Sequence, residues 1–333
     1  MKHFLSTGDW SPDELDGFLR FAADVKAGKV RDQRPGRVLG LLFFNPSLRT
    51  RTSFETAMLR LGGHAIPLDV GGGVWKLETR DGAVMDGDTV EHIVEAARVL
   101  SRYVHALGVR SFPEGKSWAS DRTDPVLGSF ARHATVPVIN MESAMWHPCQ
   151  ALGDALTWNE LGMKPGDRFV LTWAYHPKAL PLAVPNSVLL AAAQRGFNVT
   201  VLRPKEFALD PAMVADAARV AQAVGGRVVE TDDRAALDGA RIVYAKEWTS
   251  LAAYGEVEKE RAIRSQYKDW QVTVDWMRRT DQGRFMHCLP VRRNVVVADA
   301  VLDGPWSAVV DQAENRLHAQ QALLLRILNS GQS

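Results

Sequence analysis

A chain of 333 residues that is 46% hydrophobic and 24% charged has the composition of an ordinary globular protein, long enough for about two domains. Its formal net charge of +1 comes with isolated basic clusters only, which gives neither nucleic acid nor a membrane surface an electrostatic reason to bind. Cys149 and Cys288 make no disulfide framework or zinc spacing, no apolar run approaches the roughly 20 residues of a membrane span, and the amino terminus carries no signal or transit peptide, so a reducing cytoplasm is the expected setting.

In chain order, Ser11 and Pro12-Asp13-Glu14-Leu15 predict a capped helix running through Phe18, Leu19, Ala22 and Val25 to Gly28. Val38 to Phe44 is almost wholly apolar, as in a strand covered on both faces of a parallel sheet. Asn45-Pro46 stops it, Ser47 is a good N-cap, and Phe54, Ala57, Met58 and Leu61 form a helical stripe ended by Gly62-Gly63. The helix therefore starts at a polar corner. There the N–H groups of Leu48, Arg49 and Thr50, the hydroxyls of Ser47 and Thr50, the Arg49 guanidinium and the positive helix end predict a phosphate site.

Ala65 to Val70 reads as a second strand, and Gly71-Gly72-Gly73 opens a loop bearing Trp75, which suits either a local core or an arm into a neighbouring subunit. Asp86 to Thr89 predicts the cap of a helix through Ile93, Val94, Ala97 and Leu100, followed by a strand from Tyr103 to Val109 with Arg110 at its carboxyl end. A strand from Val136 to Met141 leads to Glu142 and to a helix opened by His147-Pro148-Cys149-Gln150. Beyond Gly162 a second alternating α/β unit follows: strands at 169–173, 198–202, 227–230 and 241–245, with helices at 188–195 and 211–224. A proline-stiffened loop spans His176 to Asn186, the last strand runs into His287-Cys288-Leu289-Pro290, and a helix from Gln312 to Leu328 ends the pattern. There is no Gly-x-Gly-x-x-Gly fingerprint and no Walker loop, which removes most support for nicotinamide or nucleoside triphosphate chemistry.

The ordered set of Ser47-Leu48-Arg49-Thr50-Arg51, Trp75, Arg110, His147-Pro148-x-Gln150 and His287-Cys288-Leu289-Pro290 resembles the aspartate/ornithine carbamoyltransferases over nearly the full length. Met85 to Asp88, Asn140-Met141-Glu142, Tyr244-Ala245-Lys246-x-Trp248 and Pro290 to Asn294 resemble the branch acting on N-acetyl- or N-succinyl-L-ornithine. The resemblance implies carbamoyl transfer from carbamoyl phosphate to the δ-amine of an N-acyl-L-ornithine, without metal or organic cofactor. It implies that Ser47, Leu48, Arg49, Thr50, Arg110 and a neighbouring subunit's Trp75 hold the phosphate, with Arg316 near it. Thr50, Arg110 and His147 would donate to the carbonyl oxygen, and Gln150 would orient the amide. Val90, Glu142, His176, Lys246, Cys288, Leu289 and Arg292 fall to the acylornithine. Cys288 and the Leu289 carbonyl would position the amine, whereas a covalent role for Cys288 lacks an adjacent base, since His287 points the opposite way on a strand.

Ornithine carbamoyltransferases hold the free α-ammonium with an aspartate and a Ser-Met-Gly loop; this chain has no Ser-Met-Gly and offers Lys246 and Arg292 instead, two cations that suit an α-carboxylate whose neighbouring nitrogen is already an amide. Where acetyl enzymes of the branch have glutamate and succinyl enzymes proline, this chain has Val90, and a neutral side chain removes repulsion toward a distal carboxylate; Val296 replaces the carboxylated lysine of some acetyl enzymes. The expectation is therefore N-succinyl-L-ornithine, with N-acetyl-L-ornithine as the alternative. Carbamoylation of aspartate or a diamine is disfavoured by the branch motifs and the two cations, and a non-catalytic paralogue remains a further alternative. The expected architecture is α/β, two doubly wound domains with mainly parallel sheets: residues 1–144 for carbamoyl phosphate, 145–311 for acylornithine, and 312–333 returning to the first half. Homotrimer assembly and a knotted backbone around His176 to Asn186 are also implied by the resemblance.

Overall fold

The computed structural model describes residues 3–328, so the expected segments 1–144 and 312–333 run past the described residues at their outer ends. Ser11 starts α1 (Pro12–Lys26): its hydroxyl accepts from the Glu14 N–H while the Glu14 carboxylate accepts from the Ser11 N–H, with Pro12 at the first helical position. There follow β1 (Val38–Phe43), α2 (Leu48–Arg60), β2 (His64–Asp69), β3 (Leu77–Glu78), β4 (Glu91–His92), α3 (Ile93–Tyr103), β5 (Ala106–Arg110), α4 (Trp118–Asp121), α5 (Pro125–His133) and β6 (Val138–Glu142). One sheet runs β2-β1-β5-β6, parallel throughout. Its strands β1, β5 and β6 are buried almost residue for residue, which is why they read as apolar runs rather than alternating ones.

The second half contains α6 (Pro148–Glu160), β7 (Arg168–Trp173), α7 (Ala183–Gln194), β8 (Asn198–Leu202), α8 (Pro211–Ala223), β9 (Arg227–Thr231), β10 (Ile242–Lys246), α9 (Val257–Arg264), α10 (Val274–Arg278), β11 (Arg284–Met286), α11 (Asp299–Leu302) and α12 (Val309–Ile327). Its sheet runs β11-β10-β7-β8-β9, again all parallel. Behind β7 the Trp158 ring meets Phe169 and Phe197 edge-on, at centroid distances of 5.2 and 5.5 Å, pairs worth about 1 kcal/mol each beyond their buried area. The winding direction changes between β1 and β5 in the first sheet and between β7 and β10 in the second. Ligand crevices of open α/β sheets form at such points, outside the carboxyl ends of the strands.

The last helix returns to the first half, as expected, packing along α1, α2 and α6. Gly153 on α6 sets how close it comes: a Cβ there would lie 2.8 Å from Arg316 Cγ and 3.1 Å from the Arg316 backbone nitrogen.

Three local expectations are corrected. The helix predicted from Asp86 to Thr89 begins only at Ile93, because Glu91–His92 pairs in parallel with Leu77–Glu78 and the His92 ring caps the Val94 N–H. The strand expected from Tyr103 starts at Ala106, since α3 continues through Tyr103. The helix expected from Val188 begins at Ala183, where Pro185 sits in the first turn and its missing N–H costs no intrahelical bond.

Candidate active site

The corner after β1 is tied to the loop after β5 by the Phe112 N–H, which donates to Asn45 Oδ1 at 2.8 Å. Ser47 caps α2 through its Oγ, which accepts from the Thr50 N–H at 3.2 Å. That bond corrects one expectation: the Thr50 N–H is occupied, which leaves those of Leu48 and Arg49 and the Ser47 and Thr50 hydroxyls for an anion. Thr50 Oγ1, buried, accepts from Arg316 Nη2 of α12 at 2.8 Å. Arg110, at the carboxyl end of β5, lies over the Phe112 ring at 4.5 Å and pairs through Nη1 with Glu142 at the end of β6.

Arg49, Arg110 and Arg316 each carry a buried Nε with no hydrogen-bond partner among the described residues. Burial, and the nearness of the other cations, pushes the Arg49 and Arg316 guanidiniums below their usual range. Three guanidiniums line one wall of the site with Glu142 as their nearby carboxylate, so a further anion would be drawn among them.

His147 precedes α6, its backbone N–H donating to Ser187 Oγ at 2.7 Å and its Nε2 lying 3.5 Å from Glu142 Oε2. Burial, then Arg316, Arg110, Arg49 and Lys246, holds its pKa well below the usual histidine value, so the ring is neutral at pH 7. Gln150, one turn on, donates its side-chain amide to Asp154 Oδ1 at 2.7 Å and leaves a buried Oε1 without a partner among the described residues. Asp124 fixes the loop between Glu142 and His147: Oδ2 accepts from the Ser143 hydroxyl and Oδ1 from the Ala144 N–H, each at 2.7 Å.

On the second sheet, Lys246 ends β10 with Nζ 2.7 Å from Glu247 Oε2. Burial opposes the ammonium, but Glu247, together with Cys288 and Glu142, outweighs it and the Lys246 pKa is raised. The His287 Nδ1 accepts from the Leu289 N–H at 2.9 Å, which leaves Nε2 to donate toward Glu247 at 3.3 Å. His287 thus faces away from the cleft while Cys288 lines it, as expected for neighbours on an extended chain. Desolvation pushes the Cys288 thiol up to about 11, so it is a neutral thiol at pH 7 and a poor nucleophile. Arg292 donates from Nε to His176 Nε2 at 2.9 Å.

These side chains share one cleft of about 680 Å³ between the two sheets. Ser47, Leu48, Arg49, Thr50, Arg110, Glu142, His147 and Gln150 line it from one side, and His176, Lys246, Cys288, Leu289, Arg292 and Arg316 complete it. Glu142 lines the cleft with its Oε2 paired to Arg110 and 3.5 Å from His147 Nε2. Trp75 and Val90 lie off this cleft, 60% and 69% exposed, with the indole N–H donating to Glu91 at 2.6 Å. The sequence reading passed over Asp124, Asp154, Glu247 and Gln312. Asp154 had a signal, a carboxylate four residues after Gln150 on the same helix.

Residues 2–160 match the aspartate/ornithine carbamoyltransferase carbamoyl-P binding domain, and residues 183–327 match the Asp/Orn binding domain of the same family. The N-acetylornithine carbamoyltransferase of Xanthomonas campestris pv. campestris is 48% identical over 100% of this chain and 99% of that protein. The N-succinylornithine carbamoyltransferase of Bacteroides fragilis is 36% identical over 99% of each. The fold is that of acetylornithine transcarbamylase complexed with acetylcitrulline, with a TM-score of 0.96 and 47% identity over 99% of this chain and 100% of that one. A glutamate-to-valine variant of N-acetyl-L-ornithine transcarbamylase, complexed with carbamyl phosphate and N-succinyl-L-norvaline, matches with a TM-score of 0.95 and 48% identity over 98% and 100% of the two chains.

Proposed function

The chain belongs to the aspartate/ornithine carbamoyltransferase family and is an N-acylornithine carbamoyltransferase; from that premise we propose that its preferred acceptor is N-succinyl-L-ornithine and that the cleft residues divide the work as follows. The observation that carries the assignment of the donor site is the trio of buried, unpartnered Nε–H groups on Arg49, Arg110 and Arg316. Together with the Ser47 hydroxyl and the free N–H groups at the start of α2, they take the phosphate of carbamoyl phosphate. Thr50, Arg110 and His147 donate to the carbonyl oxygen as negative charge develops on it, a stabilisation worth about 3 kcal/mol per well-aimed donor. Gln150 Oε1 accepts from the carbamoyl NH2.

Arg292 and Lys246 hold the α-carboxylate of the acceptor, and the Cys288 thiol and the Leu289 carbonyl steer the δ-amine. The amine must be uncharged to attack, and the departing phosphate accepts the proton released as the C–N bond forms. Trp75 and Val90, exposed and away from their own cleft, reach the cleft of an adjacent copy in a homotrimer. Carbamoyl phosphate and the acylornithine are the partners, in the cytoplasm, with no nucleic acid or membrane involved.

Val90 supports succinyl: a neutral residue stands where the acetyl enzymes are expected to carry glutamate, and a glutamate-to-valine variant of an acetyl enzyme accommodates a succinylated ligand. N-acetyl-L-ornithine is the second reading, favoured by the higher whole-chain identity to acetyl enzymes, 48% against 36%. Initial rates with carbamoyl phosphate and N-succinyl-, N-acetyl- or free L-ornithine decide between them. A succinyl preference is expected; an acetyl preference would remove Val90 as the specificity determinant, and no ureido product from any of the three would remove the catalytic assignment.

A further inference from the structure

We propose that Asp154 is a positioning residue that fixes which end of the Gln150 amide faces the cleft, and so makes the site select a carbonyl group bearing NH2 over one bearing a methyl. The inference rests on the carbamoyl phosphate reading above. Every hydrogen-bond direction in the network follows from one end. The His287 backbone N–H can only donate, and Gln312 Oε1 accepts it at 2.9 Å. The Gln312 amide nitrogen is thereby turned toward Asp154 Oδ1, at 2.7 Å, and toward the Tyr244 hydroxyl, at 3.2 Å. Tyr244, having accepted that N–H, donates to Asp154 Oδ2 at 3.1 Å.

Both carboxylate oxygens are thus acceptors. Gln150 must meet Oδ1 with its NH2, because the reversed amide would set a carbonyl oxygen 2.7 Å from a carboxylate oxygen. Its remaining Oε1 is an acceptor only, buried, on the cleft wall, with no partner among the described residues. A carbonyl oxygen held there gains a bond from an incoming N–H and stays without a partner against a methyl. Gln150, Asp154, Tyr244 and Gln312 are each at most 1% exposed, so water cannot stand in for a missing partner. Burial raises the Asp154 pKa to about 6 against the pull of its three donors, which leaves it ionised and acceptor-only at neutral pH. The polarity of one substrate-facing amide is therefore set by α6, β10, the strand exit at His287 and α12 together.

The test compares carbamoyl phosphate with acetyl phosphate, which replaces the NH2 by a methyl, in wild type, Asp154→Leu and Asp154→Asn, measuring the dissociation constants of both and of inorganic phosphate. Wild type is expected to prefer carbamoyl phosphate. Asp154→Leu should lose about ten-fold of that preference with inorganic phosphate binding unchanged, a split that a general loosening of the fold would not produce. Asp154→Asn should keep the preference, since its Oδ1 still accepts and the Tyr244 hydroxyl can turn to accept its NH2. An Asp154→Leu protein with undiminished preference overturns this inference alone, whereas a wild type that binds neither acyl phosphate overturns the donor assignment and this inference with it. Should Asp154→Leu fail to fold, a neutron structure of the deuterated wild type decides: deuterons of Gln150 directed at Asp154 support the inference, and deuterons directed into the cleft overturn it.

Discussion

Arg292 Nε donates to His176 Nε2 at 2.9 Å, and the other ring nitrogen, Nδ1, lies 2.8 Å from the Lys178 carbonyl oxygen. A neutral ring protonated on Nδ1 satisfies these two contacts and leaves the Lys178 N–H, 3.0 Å from the same Nδ1, without an acceptor in the ring; burial, which lowers the His176 pKa, keeps the ring neutral. With both ring nitrogens engaged in this way, the proposed role of His176 toward the acylornithine runs through Arg292. His176→Ala should raise the KM for the acylornithine about ten-fold through the released guanidinium, and leave the Kd of carbamoyl phosphate unchanged. Steady-state kinetics at saturating carbamoyl phosphate, with calorimetry of carbamoyl phosphate alone, checks both halves. Equal losses on the two substrates would show that His176 supports the whole cleft.

Arg316 tests whether buried charge in the cleft serves binding at the expense of the fold. It is 3% exposed, pairs with Thr50 Oγ1 at 2.8 Å, and feels the charges of Arg110 and Arg49, a cost that Glu142 offsets in part and a bound anion would offset further. Arg316→Met should weaken carbamoyl phosphate binding by about 2 kcal/mol, roughly thirty-fold, the range of a hydrogen bond to a charged group. The melting temperature of the unliganded protein should stay level or rise, because the variant removes a repulsive cation while keeping its volume. A fall in melting temperature without loss of affinity would place Arg316 among the structural residues.

What the sequence disclosed divides along a physical line. Strands β1, β5, β6 and β7 were legible because burial on both faces writes an apolar run, and the corner at Ser47 was legible because capping and anion binding use the same short polar residues. The start of α3 was not, since His92 caps it through a ring nitrogen and Asp86 to Thr89 imitate a better cap. The partner of Gln150 was not read either: the directions of the bonds at Asp154 depend on Gln312 and Tyr244, distant in the chain. The same holds for Glu247, whose neutralisation of Lys246 appears only once His287 is placed behind it.

His147 predicts a pH dependence of stability with a definite sign. Its folded-state pKa lies well below the usual value of about 6.5, through burial first and then the surrounding cations, so the unfolded chain binds the extra proton. The stability this contributes is present above the unfolded pKa and is lost as pH falls below it, by about 1.4 kcal/mol per pH unit until the folded pKa is reached. Asp124 and Asp154, each raised to about 6 by burial, act in the opposite sense between the usual carboxylate range and pH 6, and cancel in a comparison of two proteins that share them. Urea unfolding of wild type and His147→Gln between pH 7.5 and 5.5 should therefore show the variant losing less stability on acidification. Parallel curves would mean that His147 takes up its proton at the same pH in the folded and unfolded chain.

On the proposed reading Val90 sets the acyl preference, and Val90→Glu is the change that should reverse it. The side chain is 69% exposed and off its own cleft, so the substitution disturbs no packing and should alter stability by less than about 0.5 kcal/mol. In an adjacent cleft a carboxylate at this position would face the distal carboxylate of a succinyl group, whereas an acetyl group offers no charge to repel. A like-charge contact partly exposed to solvent costs about 1 kcal/mol or more, enough to shift the ratio of kcat/KM for succinyl over acetyl substrate at least five-fold. The shift should shrink at high salt, because the repulsion is screened. An unchanged ratio would detach Val90 from the acyl pocket while leaving the carbamoyl phosphate site as described. A ratio that moved equally at low and high salt would assign the effect to bulk instead of charge.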